Sequence, residues 1–253
     1  MPEENAPENR GFVALKDHVM NNRLDTALWA SRILTIVFAI GYIFPIFGSA
    51  QTAYNKVLMA NAATSAFRLH QRLPPIKFTR EFLSLLLVED SCHYLFFSLI
   101  FLYVSPLIVI LTPVVLFAVL HSASYSLTLL DTIGQNSWWG ARLLISIVEL
   151  QTRNILRLVS FSEIFLMPIC ILFVFWGRAG LMTPFVYYHF LVLRYSSRRN
   201  PYTRNMFYEL RLATEAAANN PSVPAIIKKV LHSSVAFISR LAPPMQAAPP
   251  PQQ

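Results

Sequence analysis

The stretch VEDSCHYLFFSLIFLYV, Val88 to Val104, decides how the chain is read. Four ionisable or nucleophilic residues, Glu89, Asp90, Cys92 and His93, stand at the head of a run apolar enough to enter a membrane. Such a group is either a catalytic or metal cluster or the marker of a bilayer edge. Glu89 and His93 are four residues apart, on one helical face, a spacing that metal sites use. A zinc site needs further ligands, however, and His70, His121 and His189 have no motif around them. No Gly-rich phosphate loop, nucleophile elbow or zincin helix occurs elsewhere, so no catalytic residue, metal or cofactor is expected.

Working outward, the run does not stop at Val104. From Phe82 to Leu130 the chain is almost continuously apolar, far too long for one helix across a ~30 Å hydrocarbon core. The Val-Ser-Pro step at 104–106 folds it into two antiparallel helices. Two other regions behave alike. Ile33 to Ala50 is uncharged and leads, through a turn near Gln51, into a small-residue helix whose Ala60, Ala63 and Ala66 suit close packing. Trp29 and Arg32 stand before it as interface anchors. Ile155 to Trp176 is apolar, turns near Arg178, and is followed by a shorter apolar segment.

The composition agrees. The chain has 253 residues, of which 55% are hydrophobic and 13% charged, with a mean hydropathy of +0.45. A soluble domain carries roughly a quarter charged residues, so lipid must cover part of this surface. The acidic start carries no cleavable signal, and Cys92 and Cys170 lie in apolar stretches where a disulfide is not expected. The net charge of +8 then bears on membrane orientation and anionic lipid, not on nucleic acid. Folded as three hairpins, the chain puts all its Lys and Arg except Lys56 and Arg178 on one side. Three simple spans give a weaker bias, so the positive-inside rule favours the hairpins, with both termini cytosolic.

Counting along paired arms gives the level of each charge. Glu89 and His121 are each sixteen residues from Ser105, and Asp90 lies opposite Leu120. Glu163 falls level with Arg194, and Arg32 with Arg72. Sixteen residues rise about 24 Å, so Glu89, Asp90, His93, His121, Glu163 and Arg194 are read as a structural layer at the cytosolic boundary. Beyond it, Arg198, Arg199 and Arg204 form a basic exit suited to anionic lipid or an acidic partner. From Val223 to Leu241 apolar residues recur at helical spacing, with Lys228 and Lys229 between them, as in a helix that either docks or lies in the membrane interface. The expected organisation is all-α: a polar segment over 1–27, a membrane domain over 28–211, a linker and amphipathic helix over 212–241, and a Pro-rich tail over 242–253.

Five stretches, RLHQRLP (68–74), VEDSCHYL (88–95), EIFLMP (163–168), LRYSSRRNPY (193–202) and AFISRLAP (236–243), closely resemble the transmembrane protein 33 family, called Krüppel homolog 2 in insects and related to a fungal pore-membrane protein. The likeness covers about Asn22 to Pro243. It implies residence in the endoplasmic reticulum and nuclear envelope, with links to nuclear pores, to reticulon-type partners of the tubular network and to the unfolded-protein response. The family brings no catalytic residues to carry over. The expected function is a non-enzymatic membrane scaffold. The alternatives are a small channel, transporter or regulatory subunit, or an intramembrane enzyme using Glu89, His93 and His121.

Overall fold

The computed structural model describes residues 11–45, 48–75, 79–135, 138–197 and 200–243. Among the described residues every regular element is helical: α1 (Phe12–Asn21), α2 (Arg23–Ile43), α3 (Ala50–Arg72), α4 (Arg80–Val88), α5 (Asp90–Phe101), α6 (Ile108–Ile133), α7 (Trp139–Ile145), α8 (Thr152–Phe175), α9 (Met182–Ser196), α10 (Tyr202–Asn219) and α11 (Ala225–Leu241). A π-helical turn, Ser146–Leu150, joins α7 to α8. The fold is that of a polytopic helical membrane protein. Helices α2, α6 and α8 are each long and apolar enough to cross a bilayer, and α4 with α5 makes a fourth, bent candidate.

The pairs α2/α3, α5/α6 and α8/α9 are each separated by six residues, 44–49, 102–107 and 176–181. The start of α3 and the latter two connections meet at one end. The Ser105 amide donates to the Arg178 carbonyl (3.1 Å), and the Tyr54 hydroxyl, near the start of α3, donates to the Phe101 carbonyl (3.1 Å). Gln51, expected at the first turn, lies inside α3, whose cap is Ser49 accepting from the Thr52 amide. At the opposite end, α1 docks on α6 through the Gly11 amide and Thr132 carbonyl, and α6 stops at Gly134, whose left-handed backbone (φ 82°) suits glycine.

Within lipid there is little hydrophobic drive between helices, so close packing and shared polar groups hold them. Tyr54, Phe97, Phe101, Tyr187 and Phe190 fill the centre. Phe97 and Phe101 sit 4.7 Å apart by ring centroid, and Phe101 and Tyr187 5.3 Å, the latter edge to face. The arms of the middle hairpin meet through Tyr94 and Phe117 (5.0 Å), while α5 packs on α3 and α9, and α6 on α2 and α8. Outward, Leu34, Val37 and Ile40 of α2 form an exposed apolar stripe.

Four sequence expectations change. The apolar run from Phe82 is not one helix to Val104, because it breaks at Glu89, in extended backbone, and α4 leaves α5 at 80°. The close-packed face of α3 is not alanine, since Ala63 and Ala66 face outward while Thr64 and Ser65 are buried. The cause is hydrogen bonding: Ser31 and Thr64 share one at 2.7 Å, and Asn61 donates to Ser98 at 2.8 Å. Trp29 and Arg32 do not reach out to an interface. Trp29 donates to Ser126 (2.9 Å) and Arg32 is buried. Finally, residues 212–219, expected as linker, continue α10, and the connection to α11 is 220–224.

Candidate functional site

At the end of the bundle where α1 docks, helices α5, α8, α9 and α10 converge on one carboxylate. Glu163, on α8, and Arg194, on α9, are fully enclosed. Arg194 Nε donates to both Glu163 oxygens (3.0 and 3.2 Å), and Nη1 donates to Asp90 Oδ1 (2.9 Å). The Tyr94 hydroxyl donates to Glu163 Oε1 (2.5 Å) and the Thr203 hydroxyl to Oε2 (3.1 Å). Tyr187 closes the site from below, giving its hydroxyl proton to the Glu163 main-chain carbonyl (2.7 Å). Arg194 also lies over the Tyr94 ring, 5.4 Å from its centroid.

An ionised carboxylate taken out of water is tolerated when paired and when its lone pairs are met by donors. Glu163 has four such hydrogen bonds, from three helices other than its own. Chemically the arrangement is a clasp. Its carboxylate is committed to a guanidinium and two hydroxyls, with no reacting position left between them.

The start of α5 supplies the second part. Asp90, in the first turn, is well placed for the positive end of that helix, and it also accepts from the Ser197 hydroxyl (3.2 Å). His93 Nε2 donates to the Leu87 carbonyl of α4 (2.7 Å), and its Nδ1 lies 3.7 Å from Asp90. Glu89 turns to Arg72 of α3 (3.1 Å). The break in the apolar run is thus bracketed on both sides, by Arg72 on Glu89 and by His93 on the last turn of α4.

The structure therefore gathers Glu89, Asp90, His93, Glu163 and Arg194. His121 stands apart, stacked on Phe117 (6.0 Å), on the side that feels the charges of Arg32, Arg68 and Arg72. Arg204 is exposed on α10, and Lys228 and Lys229 lie on α11. Arg198 and Arg199 lie outside the described residues. Among the described residues no three of His, Cys, Asp and Glu come together as metal ligands. Tyr94, Tyr187, Ser197 and Thr203 were not picked out from the sequence. The signal available was chemical: one guanidinium cannot satisfy a buried carboxylate, so hydroxyls at the same level had to be sought.

Helix α11 turns back along α10. Leu231 and Val235 are half-buried, whereas Ile226, Ile227, Val230, Phe237 and Ile238 are exposed. Its end returns to the bundle, where the Leu241 carbonyl accepts from the Tyr188 hydroxyl of α9 (3.2 Å).

The family model for Transmembrane protein 33/Nucleoporin POM33 matches residues 7–244. The chain belongs to this family. It is 56% identical to Krueppel homolog 2 of Drosophila melanogaster over 234 residues, 92% of this chain and 84% of that protein. It is 44% identical to Transmembrane protein 33 of Homo sapiens over 241 residues, 94% of this chain and 96% of that one. Identity to the Transmembrane protein 33 homolog of Caenorhabditis elegans is 37% over 237 residues, 92% and 87% of the two chains. No solved structure matches the chain. Transmembrane protein 33 family membership and the apolar helices together make this a membrane protein.

Proposed function

We propose that the protein is a non-enzymatic scaffold that shapes or organises the membrane of the endoplasmic reticulum and nuclear envelope, with both termini cytosolic. One observation carries the reading: the two ends of the bundle are unequal. At one end are the three short connections between paired helices. At the other lie α1, α4, the ion clasp and α10, and α11 returns toward it. A body built this way occupies more of one leaflet than the other, and helices inserted at the headgroup level add to the imbalance. The ion layer then marks the cytosolic boundary, where charge is tolerated. The word nucleoporin in the family description supports nuclear-pore partners, and the family resemblance supports reticulon-type partners and a place in the unfolded-protein response. Against a channel stands the aromatic packing of Tyr54, Phe97, Phe101 and Tyr187 at mid-depth.

Reconstitution of the full chain into neutral and anionic liposomes tests this. Vesicle diameter should fall, and tubules should appear, as protein density rises, while the vesicles stay ion-tight. Diameters that do not change at any density, or a protein-dependent ion leak, would overturn the scaffold reading.

A further inference from the structure

Arg32 of α2 is 8% exposed, and Arg68 of α3 is half-buried. Among the described residues neither has a hydrogen-bond acceptor or an acid within ion-pair distance. The Ser31–Thr64 hydrogen bond fixes the register of α2 on α3, which brings Arg68, one turn beyond Thr64, near the level of Arg32, with Arg72 one turn further along α3. Glu89 is held by Arg72 at 3.1 Å, and Asp25 makes no ion pair with Arg32 or Arg68. His121 of α6 stands on the remaining side.

The walls are fixed. Ser31 is bonded to Thr64, and Trp29 to Ser126, so α2 is pinned to α3 and α6 around the arginines. Among the described residues the fully enclosed side-chain nitrogens left without a partner are His93 Nδ1 and Arg194 Nη2. Those of Arg32 are not among them and keep a sliver of exposure. Leaving a guanidinium buried and unpaired is costly, and the planar fork fits phosphate better than any other common anion except carboxylate.

We propose that Arg32, Arg68 and Arg72 bind the phosphate of an anionic membrane lipid. Basic pockets between helices at the cytoplasmic side of a membrane take such headgroups. This site is separate from the basic exit around Arg204, and it does not depend on the scaffold role.

The test uses the full chain in nanodiscs of phosphatidylcholine, with phosphatidylinositol or phosphatidylserine added. Wild type should retain an anionic lipid through delipidation, read by native mass spectrometry, and melt higher when such lipid is present. Inorganic phosphate and glycerophosphoinositol should not reproduce the rise; if they match it, the site takes free phosphate and the lipid assignment falls. Replacing both Arg32→Gln and Arg68→Gln should weaken lipid binding roughly 30-fold at low salt. The same variant should melt no lower than wild type in phosphatidylcholine alone, because it relieves repulsion. Arg157→Gln, an exposed control, should keep the wild-type response. Equal lipid responses of wild type and the double variant would overturn the proposal. Should the double variant misfold, failure of wild type to retain any anionic lipid would do the same.

Discussion

Arg194→Gln is expected to cost roughly 3–5 kcal/mol of stability, the usual consequence of breaking a buried ion pair from one side. The change strips the guanidinium from Glu163, which is fully buried, and from Asp90 at once. Glu163→Gln should cost less, because Arg194 keeps Asp90, and the amide oxygen still accepts from the Tyr94 hydroxyl while its NH2 can donate to the Thr203 hydroxyl oxygen. The double change should be milder than the sum, since it leaves no uncompensated charge at the centre. Thermal unfolding of detergent-solubilised protein and its abundance in cells both read the order. Strict additivity, or an Arg194→Gln protein as stable as wild type, would show that the clasp does not hold the bundle. Arg157 and Glu209 offer the contrast. They form the same kind of pair at 2.7 Å, but both side chains are 45% exposed, so breaking it should cost roughly 0–1 kcal/mol.

Helix α11 carries the second large effect. Ile227 and Val230 are exposed. In the membrane interface each would contribute roughly 1.5–3 kcal/mol, so Ile227→Asp with Val230→Asp should remove about 3–6 kcal/mol, enough to abolish binding. Lys228 and Lys229 should add about 1 kcal/mol each on anionic membranes, a share that fades as salt rises. A peptide covering residues 220–243 should therefore be disordered in buffer, helical on anionic vesicles, and tighter on small vesicles than on large ones. In cells the double variant should redistribute within reticulum or envelope while the hairpins still insert. If the wild-type peptide ignores vesicles of every size and charge, α11 is a docking element through Leu231 and Val235 and contributes nothing to curvature.

What could be read in advance followed from helical geometry. Two arms of a hairpin rise equally per residue, so counting from the Arg178 turn sets Glu163 opposite Arg194, and the structure has them 3.0 Å apart. Counting within hairpins cannot supply neighbours between hairpins, which is why Arg72 on Glu89 and Asp90 on Arg194 were not anticipated. Periodicity tells which residues share a face, not which way the face turns. Arg32 and Trp29 look like surface anchors by position and point inward because Ser126 and the α2/α3 seam receive them. The break at Glu89 has neither Gly nor Pro to announce it. Tertiary contacts impose it, from Arg72 on one side and His93 on the other.

Cysteine accessibility in sealed reticulum vesicles tests the three-hairpin account most directly. In a Cys92→Ala, Cys170→Ala background, single cysteines would replace Gln71, Gln135 and Asn205 at the broad end, and Gln51, Tyr103 and Met182 at the turns. The account predicts that the first three label with an impermeant reagent from the cytosolic face, and that the last three label only after the vesicles are opened. Labelling of positions 71 and 135 from opposite faces would mean simple spans in place of hairpins, and would contradict it.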